Sequence, residues 1–109
     1  MSVAAMVIIP ENMVNKLLYI PIATERFFIK CWMPAINALE LKWIACFQCG
    51  IEITKKDLPF VIDELEKIKP WISENLSYEE TNFMTSRIDN LIDNLGEIFC
   101  NDDVIVFIG

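Results

Sequence analysis

SYEETNFMTSRIDNLIDNLGEIF, residues 77–99, holds the most regular apolar spacing of the chain and its clearest charge signal. Met84, Ile88, Leu91, Ile92, Leu95, Ile98 and Phe99 recur at steps of three and four, the period of a helix and not of a strand. At about 100° per residue, Asp89, Asp93 and Glu97 gather on the other side with Asn82, Ser86 and Asn90. Ser77 and Glu80 have capping-box spacing, and Glu79 and Glu80 put negative charge at the positive end of the helix dipole. A helix is therefore predicted over 77–99, with one side on a core and acid on the other.

Before it, Thr54 and Asp57 also have the spacing of a cap, and Leu58, Val61, Ile62, Leu65, Ile68 and Ile72 form a second helical stripe. Pro59 fits only in the first turn, and Pro70 is expected to kink or end this helix near Lys69, with Trp71 and Ile72 folding onto the core beneath the bend. After the acidic helix, the unbroken β-branched and aromatic run Val104–Ile108 reads as an inner strand. Val3–Ile9, closed by Pro10, reads as a first strand. Glu11–Leu18 fits a short helix, while Leu17–Ile22 fits a strand with Pro21 tolerable only at a sheet edge. Phe27–Met33 alternates and is expected as a strand. So is Leu39–Cys49, whose odd positions from Leu39 to Cys49 alternate with Glu40, Lys42, Ile44, Cys46 and Gln48; Gly50 then permits a bend before Ile51–Ile53. The fold class expected is α+β: one domain over 1–109, a mainly antiparallel sheet of about four to five strands, two principal helices on one face, and a C-terminal strand.

The net charge is −7 and unevenly placed. Acids and bases cancel through Lys69. Beyond it Glu74, Glu79, Glu80, Asp89, Asp93, Glu97, Asp102 and Asp103 face only Arg87. Such a field repels nucleic acid and anionic membranes and speeds encounter with basic partners. The hydrophobic fraction of 54% and mean hydropathy of +0.38 are high for so small a domain, which points to apolar surface meeting another chain, a second copy included. No apolar run is long enough to cross a bilayer, the first residues lack a basic signal region, and four cysteines without secretion signals fit a reducing compartment. A cytoplasmic protein is expected.

There is no histidine, which removes the commonest general base and metal ligand, and the glycines at 50, 96 and 109 form no phosphate loop. Cys46-Phe-Gln-Cys49 is a C-x-x-C, but on a strand its thiols point to opposite faces, and Cys31 and Cys100 stand too isolated to complete a zinc site. No enzyme, cofactor or metal is expected. The pairs Asp89/Asp93 and Asp102/Asp103 read as a solvated helix face and a turn. Trp32, sharing a strand face with Lys30, is the expected aromatic anchor of an interface, and Glu79, Asp89, Asp93, Glu97, Asp102 and Asp103 are its expected acidic part.

A strand ending in Trp43-Ile44, then Gly50-Ile51-Glu52-Ile53, then Thr54-Lys-Lys-Asp57-Leu58-Pro59 leading to Leu65 and Pro70-Trp71-Ile72, resembles the layout of small immunity proteins of bacterial contact-dependent growth inhibition systems over residues 39–99. The resemblance implies a cytoplasmic protein that binds and neutralises a cognate toxin domain, often a nuclease, and carries over no residue by position. Two other readings stand beside it. One is a non-catalytic structural or regulatory module that dimerises through its apolar sheet; the other is a metal- or thiol-dependent enzyme resting on Cys46 and Cys49.

Overall fold

A computed structural model describes residues 2–7, 19–100 and 104–109. The fold is α+β: a four-stranded antiparallel sheet in the order β2-β1-β4-β3, covered on one face by helices. The strands are β1 (Ser2–Val7), β2 (Tyr19–Thr24), β3 (Ile51–Ile53) and β4 (Val106–Ile108). As its uniform apolarity predicts, β4 is an inner strand, and Pro21 sits on the edge strand β2, where its missing donor breaks no ladder. Ile8, Ile9 and Glu11–Leu18 lie outside the described residues.

The cross-strand rows show how the two-residue period divides the sheet. Ile20, Ala5, Ile108 and Ile51 form one row toward the core, and Tyr19, Met6, Phe107 and Glu52 the next row, away from it. Between Val3 and Ala4 the pairing slips by one residue, so Ile22 and Ala23 of β2 both join the core.

The helix predicted from the acidic stretch is α4 (Tyr78–Ile98), with the full capping box: Glu80 N–H donates to Ser77 Oγ at 3.1 Å and Ser77 N–H to Glu80 Oε1 at 3.2 Å. It buries Met84, Ile88, Leu91, Leu95 and Ile98 against β2 and α3 (Leu58–Asn75). The α3 helix runs on through Pro70 instead of ending there. Pro70 and Glu66, whose carbonyl loses its partner, are both exposed and open to solvent, while Leu65, Ile68 and Ile72 hold the helix down on either side.

Two expected strands are helical. Residues 25–39 form α1 (Glu25–Phe27), a π turn over Phe28–Trp32 and α2 (Met33–Leu39), started by Thr24, whose Oγ1 accepts from Phe27 N–H at 3.1 Å. Phe28, Cys31, Trp32, Ala35 and Ile36 are buried, a spacing that fits a helix as well as the alternation fitted a strand. The π turn falls just before Pro34, which has no N–H to continue the regular ladder. The segment expected as the long strand Leu39–Cys49 turns instead. Glu40 caps α2 with a left-handed φ of 54°, and Ile44–Cys46 is a short 3₁₀ helix. The buried residues there are Leu41, Ile44 and Phe47, three apart, which is the 3₁₀ period.

What holds this turn is one carboxylate. Glu64 of α3 accepts the N–H of Lys42 on Oε2 at 2.9 Å and those of Trp43 and Ile44 on Oε1 at 2.9 and 3.0 Å. These are the orphan donors at the start of the 3₁₀ helix, capped from another element. Of the helices described, none is long and apolar enough to cross a membrane.

Glu64→Ala should lower the unfolding free energy by about 2–4 kcal/mol in a urea titration followed by tryptophan fluorescence, because half-buried donors lose a charged acceptor. Glu64→Gln, which keeps one oxygen, should fall between it and the parent. Gly50, at φ 101°, would place a Cβ 2.9 Å from the Phe107 ring. Gly50→Ala should therefore cost about 1–3 kcal/mol in the same measurement.

Candidate protein-binding surface

The helical wheel of α4 sorts its charged residues into a ridge and two flanks. Opposite the buried stripe, the ridge carries Glu79, Asn82, Ser86, Asn90, Asp93 and Glu97, all exposed. On one flank Asp89 Oδ1 meets Lys69 Nζ of α3, which also contacts Glu66 at 3.4 Å. That hydrogen bond to Asp89 is the first cause holding Lys69 above the ordinary lysine value of 10.5. On the other flank Glu80 Oε2 meets Lys30 Nζ at 3.0 Å, the Phe83 and Phe27 rings meet edge to face at 5.0 Å, and Arg87 lies 4.9 Å over Phe83 while donating to the Pro21 carbonyl at 3.2 Å.

The acids named from the sequence therefore separate. Glu79, Asp93 and Glu97 stand on the ridge with no ion-pair partner among the described residues. Asp89 is engaged by Lys69. Asp102 and Asp103 lie outside the described residues. Trp32 is fully buried and stacks on Phe28 at 5.5 Å with 9° between the planes, so it is a core residue and unavailable as an anchor. The expectation failed because residue 32 belongs to a helix, on which it shares the inward side with Phe28 and not an outer strand face with Lys30.

The exposed aromatics lie elsewhere. Tyr78 is 82% exposed, Phe83 44%, and Phe60 59%, its ring stacked on Trp43 at 6.0 Å. Phe83 was legible as an apolar residue standing off the α4 stripe. On the face of the sheet away from the described helices, Tyr19 and Met6 are 55% and 37% exposed and Phe107 is half-buried. Cys46 and Cys49, expected on opposite faces of a strand, are both exposed on a helical turn. Among the described residues no group of three or more histidines, cysteines and acids could hold a metal ion.

Glu80 is held below the ordinary carboxylate value of 4.5, first by the Lys30 hydrogen bond, then by the backbone and side chain of Ser77; the same contact raises Lys30 above 10.5. A lowered acid contributes stability that is present above pH 4.5 and lost as pH falls through its folded-state value; a raised lysine contributes stability that is present below pH 10.5 and lost as pH rises through its own. Carbon-detected NMR titration should place the Glu80 midpoint below 4.5, and Lys30→Gln should raise it part of the way back, since the Ser77 bonds remain. A midpoint that Lys30→Gln leaves in place would contradict this assignment. Comparison with family models, with curated proteins and with solved structures finds no match for this chain.

Proposed function

We propose that this chain is a small acidic bacterial immunity protein of the contact-dependent growth inhibition type. On this reading it is cytoplasmic, has no catalysis of its own, and neutralises a cognate toxin domain by covering its basic surface. The observation that carries the reading is the α4 ridge. Glu79, Asp93 and Glu97 are exposed and free of ion pairs among the described residues, over about 27 Å at 1.5 Å per residue. A nuclease must present cationic groups to phosphates, and a rigid acidic ridge is complementary to such a groove in charge and length. The layout of Ile51–Ile53, Leu58–Asn75 and Tyr78–Ile98 keeps the order on which the family resemblance rests, although Trp43-Ile44 belongs to a turn and not to a strand.

A second reading has its own observation. The row Tyr19, Met6 and Phe107 on the sheet face away from the described helices supports a non-catalytic module that pairs with a second copy of itself through its apolar sheet.

The tagged protein should be used to capture partners from its host, with the product of the adjacent gene included, at low and at high salt. The captured domain should then be purified for binding and activity assays. The expected outcome is a basic domain whose activity is lost at equimolar protein and whose binding weakens with salt. Combined Glu79→Lys, Asp93→Lys and Glu97→Lys should slow association by about tenfold or more with the fold intact. Unchanged association would remove the ridge from the interface. A salt-insensitive dimer with no captured domain would favour the second reading.

A further inference from the structure

The C-x-x-C motif is folded into a shape that a strand would forbid. Cys46 N–H donates to the Trp43 carbonyl at 3.1 Å, Phe47 N–H to Ile44 at 3.0 Å, and Gly50 N–H to Cys46 at 2.9 Å. The last of these closes a helical turn with Cys49 inside it. Residues three apart on such a turn are neighbours, with Cβ atoms about 5–6 Å apart, and a disulfide needs about 3.5–4.5 Å, so a modest tightening brings the sulfurs together. Phe47, between them, is fully buried and anchors the turn, while both thiols are exposed. Gly50, at φ 101°, ends the turn immediately after Cys49 and supplies slack there. Among the described residues Cys46 Sγ contacts the Lys42 carbonyl at 3.6 Å, a long tether that a rotation about χ1 releases.

We propose that Cys46 and Cys49 are a reversible redox-modification site, closing an intramolecular disulfide by exchange with a small disulfide such as oxidised glutathione. The thiolate of one cysteine attacks a glutathione sulfur, breaks that S–S bond and expels one glutathione thiolate, leaving a mixed disulfide. The thiolate of the other cysteine attacks the protein sulfur of that mixed disulfide and expels the second glutathione. The protein dithiol gives up two electrons and two protons, and the oxidant becomes two glutathione thiols. Cys46 ends the 3₁₀ helix Ile44–Cys46 instead of standing at a helix N-terminus, where thiol-disulfide catalysts of this spacing place the reacting thiol so that the dipole lowers its pKa. The turn is therefore arranged for ring closure and not for catalysis of exchange in other proteins. The closed ring locks the segment that carries Ile44 and Phe47 into the core and Trp43 onto Phe60.

The folded protein should be incubated with oxidised glutathione, quenched with acid, unfolded, alkylated and digested with trypsin. The peptide 43–55 is expected to resist alkylation and to be lighter by two hydrogens, with the ring form exceeding the glutathione adduct by about tenfold or more. Cys49→Ser should instead hold glutathione on Cys46, and dithiothreitol should restore both thiols. Buried Cys31 and exposed Cys100 serve as internal controls. In urea the ratio of ring to adduct should fall several-fold. A peptide that stays fully alkylated or keeps glutathione without closing overturns the proposal. So does a ratio that is the same in urea, because the folded turn would then play no part.

Discussion

The Glu64 carboxylate is the constraint through which the helical layer becomes one piece. Three consecutive amides, Lys42 to Ile44, have no helical acceptor because the 3₁₀ helix begins there, and Glu64 of α3 accepts all three. A charged acceptor shared among donors at 2.9 to 3.0 Å ties the path of residues 41–47 to α3. With the path held, Leu41, Ile44 and Phe47 enter the core together, and the chain leaves through Gly50 in position to start β3. Thr81 Oγ1 donates to the Ile72 carbonyl at 2.9 Å, a second polar tie that joins the end of α3 to the start of α4.

The described helices cover one face of the sheet, and this sets what the other surfaces can do. Each strand divides its residues by the two-residue period, so the face away from the described helices receives Tyr19, Met6, Phe107 and Glu52 while their neighbours fill the core. Phe107 lies against Gly50 and Gly109, where any Cβ would come within 3 Å of its ring. The aromatic is partly absorbed by the sheet itself, and Tyr19 and Met6 are left as the open part of the row.

Charge is redistributed by packing in the same way. The nine residues Asp89 to Glu97 hold three of the eight acids that follow Lys69, read as a single face from sequence. In the fold Asp89 turns to Lys69, while Asp93 and Glu97 on the ridge have no ion-pair partner among the described residues. The lone base beyond Lys69, Arg87, goes the other way, to Phe83 and the Pro21 carbonyl, and stitches α4 to the edge strand.

The two long helices, the capping box at Ser77, the first strand and the inner C-terminal strand could be read from the chain alone. In each, one periodicity or one local hydrogen-bond rule has no competitor: Met84 to Ile98 fits only a helix, and Val104 to Ile108 is too short and too β-branched for anything but a strand. Residues 27–49 could not be read this way. Apolar side chains there are so dense that Phe28, Cys31, Trp32, Ala35 and Ile36 satisfy a helix while the same run satisfies alternation, and local propensity does not choose between them. The choice came from contacts distant in sequence: Glu64 supplying acceptors 20 to 22 residues away, and α4 meeting residues 27 and 30 through Phe83 and Glu80. Those contacts buried Trp32, brought Cys46 and Cys49 onto one side of a turn and left Glu79, Asp93 and Glu97 of α4 without ion-pair partners among the described residues, because burial and pairing are properties of neighbours that only the folded chain brings together.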